Sequence, residues 1–242
     1  MSFKKCMNDH SVLIIQFELS LVIYCLCYKK IITDQFIMQT LHVPILLLML
    51  MSNSSVYADT TLYGGQPRIA IELEHEEAPD HSEIANSVTL IPGIRWNNGF
   101  INQIELLVQT EREKEKEDGV WHRASGRKIA IRFRKDFQLT DNLRATARAL
   151  FGRALNESDD YTYAYFEPAL KYKFRYFDFT AGVRTVRAID GSDGHDSNKI
   201  RLGPSFDINK HNEIEFRWVR SWEAHSGKHE SDAYIIEYIT KF

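Results

Sequence analysis

A chain of 242 residues with 12% aromatic and 26% charged residues is too rich in apolar side chains to be a disordered polymer, and long enough for one large domain or two small ones. Its formal net charge of −3 is too mild for a nucleic-acid binder. Mean hydropathy is negative, which excludes a polytopic helical membrane protein but not a transmembrane barrel, whose strands alternate apolar and polar side chains so that the average cancels.

Two apolar runs open the chain, Val12 to Tyr28 and Leu41 to Leu50. The second leads through Ser52-Asn53-Ser54-Ser55 to Val56-Tyr57-Ala58, a small-residue cleavage pattern, so residues 38–58 are expected to be a signal peptide starting at Met38 and cleaved after Ala58. Residues 1–37 then read as a non-structural N-terminal extension, and residues 59–242 as the mature domain. Cys6, Cys25 and Cys27 all fall in the first part, so no disulfide framework or cysteine metal site is expected in the body. The mature part carries 26 Lys and Arg against 30 Asp and Glu, a net charge of −4.

From there the chain is a succession of two-residue periods, the signature of half-buried strands. Ile69, Ile71 and Leu73 oppose Glu72 and Glu74; Ile84 to Trp96 follows after a polar connection; Ile104, Leu106 and Val108 oppose Glu105 and Gln109. The alternating charges of residues 111–119 read as a solvated loop, since no apolar stripe supports a helix there. Ile129, Ile131 and Phe133 then oppose Lys128, Arg132 and Arg134; Leu143, Ala145, Ala147, Ala149 and Phe151 oppose Arg144 and Arg148; Phe166, Leu170 and Tyr172 oppose Glu167 and Lys171; Phe179, Ala181 and Val183 oppose Arg184. Ile200, Leu202 and Phe206 oppose Arg201 and Ser205, Ile214, Phe216 and Trp218 oppose Glu215 and Arg217, and the last strand, Tyr234 to Phe242, sets Tyr234, Ile236 and Tyr238 against Glu237 and Lys241.

Short turns at 97–99, 138–142, 175–176 and 209–212 alternate with longer polar stretches at 77–83, 111–124, 155–160, 188–198 and 223–232. That order predicts an all-β, closed antiparallel transmembrane β-barrel of about ten strands, twelve being the alternative, each of the usual ~9–11 residues, with both termini in the periplasm. An even count brings the last strand beside the one starting near Arg68, as closure requires. A terminal apolar strand ending on Phe242 resembles the signal read by the outer-membrane barrel-insertion machinery, with Thr240 standing where an apolar residue is common.

In such a barrel the apolar face meets outer-membrane lipid and the charged face turns inward. Lys128, Arg132, Arg134, Arg144, Arg148, Arg184, Arg201 and Arg217 are then the pore-lining candidates, a cationic stripe held by a few carboxylates such as Glu105 and Glu215, able to concentrate anionic solutes. Tyr161, Tyr163 and Tyr165, with Trp121, Trp218 and Trp222, read as interfacial girdles or, alternatively, as stacking surfaces for sugar rings.

The size, the signal peptide, the early acidic strand Arg68 to Glu76, Asn98-Gly99-Phe100, Glu167-Pro168 within a strand and the arginine-rich inward face together resemble the oligogalacturonate-specific porins, the KdgM family. The resemblance spans most of residues 59 to 242 and rests on short motifs. It implies a small monomeric outer-membrane barrel of twelve strands whose arginine-lined pore passes acidic oligosaccharides by diffusion, without cofactor.

Other chemistry is weakly signalled. His225 and His229 sit in a polar loop rather than on a helix face, and Asp190, Asp193 and Asp196 lack the glutamate that a calcium loop needs at its twelfth position, which here is Arg201. The expected protein is a non-enzymatic porin for anionic oligosaccharides. The alternatives are a lipid-hydrolysing barrel using Ser125 with His122, or a non-conducting structural or adhesive barrel.

Overall fold

A computed structural model describes residues 64–97, 99–156, 160–191 and 195–242. The extension and signal peptide expected over residues 1–58, as well as Asn98 and Asp193, lie outside the described residues. Ten strands follow in order: β1 Gln66–Glu77, β2 Glu83–Arg95, β3 Gln103–Glu117, β4 Val120–Gln138, β5 Leu143–Asn156, β6 Asp160–Lys173, β7 Asp178–Ala188, β8 Ser197–Asp207, β9 Asn212–Glu223 and β10 His229–Lys241. Each pairs antiparallel with its neighbours in sequence, and β10 returns to β1 with Arg68 opposite Lys241 and Glu77 opposite Asp232. The ring is closed, so no strand presents an unpaired edge. The count is ten, not the twelve that the family resemblance implies.

Alternation decides which side chains face which way, because successive residues of a strand point to opposite faces. Outward stand Leu90, Ile104, Leu106, Val108, Ile129, Ile131, Phe151, Phe166, Leu170, Val183 and Ile200, all exposed. Inward stand Arg68, Thr89, Glu105, Arg132, Arg148, Glu167, Arg201, Glu215, Arg217 and Glu237, all buried. A protein in water does the reverse, since an exposed apolar side chain and a buried charge each cost free energy there. The inverted order is that of a transmembrane barrel whose outer solvent is lipid. Smaller apolar groups also sit inside: Ala70, Ile91 and Ile239 in one cluster, Ala130, Leu150 and Tyr165 in a second, Val219, Ala233 and Ile235 in a third.

Both termini of the ring lie at one end, here called the terminal end. Its outward surface carries an aromatic run, with Tyr172 against Phe174 at 4.7 Å, Phe174 stacked on Phe177 at 4.8 Å, and Phe177 5.8 Å from Phe206. Two expectations fail here. Tyr161, Tyr163 and Tyr165 do not belong to a girdle, because odd-numbered residues of β6 share the inward face with Glu167, and Tyr165 is buried. Nor are connections sorted cleanly by length: the terminal end carries 96–102 and the distal end the tight turn 118–119.

That turn corrects a third expectation. Residues 111–124 are not a loop but the continuation of β3 and β4, paired without a break from Gln103–Arg134 to Glu117–Val120. Asp118 (φ 49°) and Gly119 (φ 82°) both adopt the left-handed region, as a two-residue type I′ hairpin turn demands. The charged stretch alternates in sign with the period of a strand, a pattern that helix logic does not detect.

Candidate functional site

The interior is organised around carboxylates that each collect several guanidinium groups. Glu167 on β6, 1% exposed, accepts a bond from Arg148 Nη1 of β5 at 3.0 Å, from Arg184 Nε of β7 at 2.7 Å, and from Arg201 Nη1 of β8. Register accounts for the first of these, since Arg148 lies directly opposite Glu167. Pro168 follows, and the β6–β7 ladder passes from Phe166–Thr185 to Ala169–Gly182, as expected where a residue without an N–H interrupts the bonding.

A second node lies across the barrel. Arg132 Nε donates to Glu105 Oε2 at 2.5 Å from the opposite position on the neighbouring strand, and Arg68 Nη2 stands 3.5 Å from the other oxygen. A third inverts the stoichiometry: Arg217 Nη2 reaches Glu72 and Glu237, both at 2.6 Å, with Glu215 3.9 Å from its Nε. Arg68 also stands 3.6 Å from Glu237 and so links the second node to the third. Near the terminal end Asp136 gathers Arg134 at 2.7 Å, Arg95 at 3.3 Å and Arg144 at 4.0 Å. Toward the distal end Lys128 pairs with Glu111 at 2.6 Å.

All eight basic residues singled out from the sequence therefore lie on the inward face. Arg148, Arg184 and Arg201 are brought together on one carboxylate, Arg134 and Arg144 on another, while Arg132, Arg217 and Lys128 stand apart on their own partners. The stripe is not a row of unopposed cations, as the sequence suggested, but a cross-linked network. Glu237, on the charged face of the last strand, belongs to the network, and Glu167, Glu72, Asp136 and Arg68 join it beyond the candidates named from the sequence. The signal for Arg68 and Glu72 was available, since both have even numbers on β1 and share its polar face. For Glu167 it lay in the opposition of that residue to Phe166 and Leu170.

Not every donor is used. Arg68 Nε, Arg201 Nε and Nη2, and Arg217 Nε are buried without a hydrogen-bond partner. At Glu167 three guanidiniums on one carboxylate leave the surplus on Arg201 by necessity, because a carboxylate offers about four acceptor positions and the three groups carry five N–H donors each. What space remains is small. A cavity of about 30 Å³ opens among Arg68, Arg95, Arg132, Arg134, Arg144, Arg148, Lys171, Glu105, Glu213, Glu215 and Glu237, and one of about 10 Å³ lies beside Glu167, Arg201 and Arg217. The larger holds about two waters. Its lining is nevertheless unequal in sign, with seven basic groups to four carboxylates.

The hydrolase arrangement fails on geometry. Ser125 and His122 lie three apart on β4, which sends their side chains to opposite faces. His225 stands 3.6 Å from Asp196 and His229 3.4 Å from Asp232, and among the described residues no group of three or more His, Cys, Asp or Glu is placed to hold a metal ion.

No family model matches the chain, and neither does any curated protein. Among solved structures it is similar to the NanC porin (8% identity, 71% of this chain and 100% of that one, TM-score 0.43). It is also similar to the KdgM porin (10% identity, 72% and 99%, TM-score 0.40) and to an outer membrane channel from Pseudomonas putida F1 (8% identity, 76% and 98%, TM-score 0.48). At these scores the reading of this chain rests on its own residues.

Proposed function

We propose that this chain is an outer-membrane channel that lets small anionic solutes diffuse through the barrel, acidic oligosaccharides such as oligogalacturonates being the substrate class, with the distal end outside the cell and the chain acting as a monomer. One observation carries the reading: around Glu167 three guanidiniums bring more donors than the carboxylate can accept, leaving Arg201 Nε and Nη2 buried and unmatched at the smaller cavity, while the larger interior cavity is lined by seven basic groups and four acidic ones. A buried unsatisfied donor costs about 1–3 kcal/mol, and an entering carboxylate relieves that cost. The arginines exchange one carboxylate for another, which lets a solute pass without being trapped.

Planar-bilayer recording tests the reading. Anion selectivity is expected, falling toward neutrality when Arg148, Arg184 and Arg201 are replaced by Gln together. Cation selectivity in the parent protein, or unchanged selectivity in the triple variant, overturns it. The second reading, a non-conducting structural barrel, is favoured by the small interior cavities and by Arg217 tying β9 to both β1 and β10. It predicts no conductance at any voltage.

A further inference from the structure

The β3–β4 hairpin that runs past the apolar belt carries basic groups on its outward face, while its acidic groups point inward together with Lys128, which pairs with Glu111. In β3, Glu111, Glu113, Glu115 and Glu117 continue the inward series of Glu105 and Leu107, while Arg112, Lys114 and Lys116 continue the outward series of Ile104, Leu106 and Val108. In β4, Arg127 and Arg123 continue the outward series of Ile131 and Ile129, and in β5 Arg153 follows Phe151 on the same face, opposite Ile129. Arg112, Lys116, Arg123, Arg127 and Arg153 are exposed. Asp160, 3.5 Å from Arg153, is the outward acid beside them among the described residues.

We propose that this outward basic face is a docking surface for lipid headgroup phosphates in the leaflet at the distal end, an inference that rests on the transmembrane reading of the barrel. Height supports it. Strands rise ~3.3 Å per residue and tilt ~35–45° in such barrels; Arg153 stands level with Ile129 and Arg127 level with the exposed Leu155, so these two sit at the upper edge of the apolar belt, from which their long side chains reach the headgroups. Arg112, two residues beyond the level of Leu155, stands ~5 Å above it, and Lys114 with Arg123 opposite ~10 Å. The headgroup layer occupies roughly 5–8 Å on each side of the hydrocarbon core, so the collar begins at phosphate depth and Lys114, Lys116 and Arg123 extend past it, where the phosphates of a large glycolipid headgroup lie. Guanidinium groups match phosphate in a bidentate manner. The segregation also matters, because Glu111, Glu113, Glu115 and Glu117 of β3 point toward the barrel axis while Arg112, Lys114 and Lys116 of the same strand stand on the outward face.

The test uses the full chain, solubilised in a neutral detergent, with binding of diphosphoryl lipid A, dephosphorylated lipid A and inorganic phosphate measured separately. The parent protein is expected to bind the diphosphoryl lipid at least about ten-fold more tightly than the dephosphorylated one. The variant R112Q/K114Q/K116Q/R123Q/R127Q is expected to lose that preference while keeping the heat-dependent gel shift of a folded barrel. Equal binding of the two lipids by the parent overturns the proposal, as does a retained preference in the variant, or inorganic phosphate binding as tightly as the lipid. If the variant does not fold, the comparison of the two lipids on the parent still decides. Loss of the gel shift in the parent itself defeats instead the barrel reading on which the proposal depends.

Discussion

At the scale of single residues, the interior shows why ion pairs in a barrel are not interchangeable. Glu167 is shared by Arg148, Arg184 and Arg201, so removing its charge strands three buried cations at once. Glu167→Gln is expected to destabilise the barrel by roughly 3–5 kcal/mol, the range for breaking a buried pair from one side, read as a lower urea midpoint in detergent. Arg144→Gln is expected to cost no more than about 1 kcal/mol, because Arg144 is partly exposed and only 4.0 Å from Asp136. Glu83 offers a test by pH. It lies at the start of β2 at the distal end, facing Glu113 and Glu115 of β3, with Glu76 and Glu230 nearby, and burial followed by that repulsion pushes its carboxyl up to about 7. Its folded-state value is raised, so the folded form holds a proton that the unfolded form has lost, and the contribution to stability is largest at low pH and declines as pH rises through about 7. Amide exchange in the β2–β3 distal segment should therefore slow as pH is lowered from 8 to 5, after correction for intrinsic rates, and Glu83→Gln should flatten that dependence.

At the scale of elements, the period of two identified the strands, and it failed at 111–124 because the criterion applied there was apolar. Glu111 through Glu117 alternate charge rather than hydrophobicity, so a segment extending past the belt keeps its strand pairing through the ladder and its type I′ turn. Gly119 holds φ of 82°, where a side chain is strained, and Gly119→Val is expected to destabilise the hairpin by about 1 kcal/mol or more, measurable as faster proteolysis at residues 111–127 with the gel shift intact. The tyrosines of β6 show the converse error. Tyr161, Tyr163 and Tyr165 are spaced correctly for a girdle, but their odd numbers place them with Glu167 inside, and Arg184 lies over the ring of Tyr165 at 4.2 Å.

At the scale of the molecule, inversion is the decisive property: exposed Ile129 and Ile131 alternate with buried Ala130 and Arg132 on one strand. Ile131→Arg, on the outer face, is expected to cost about 2–4 kcal/mol in a bilayer, the range for a cation near the midplane, seen as reduced folding into lipid vesicles. A protein folded in water would tolerate the same exposed change. The sequence by itself determined the all-β class, eight of the nine connections to within a few residues, and the face on which each of the eight candidate basic residues lies, because a strand's alternation is local and survives without its neighbours. Only the tertiary structure decided that the strands number ten, that Arg148, Arg184 and Arg201 converge on Glu167, and that Arg217 bridges β9 to Glu72 of β1. Those facts depend on register and closure, which bring together residues as far apart as 72 and 217, and no periodicity along the chain encodes which carboxylate will meet which guanidinium across the barrel.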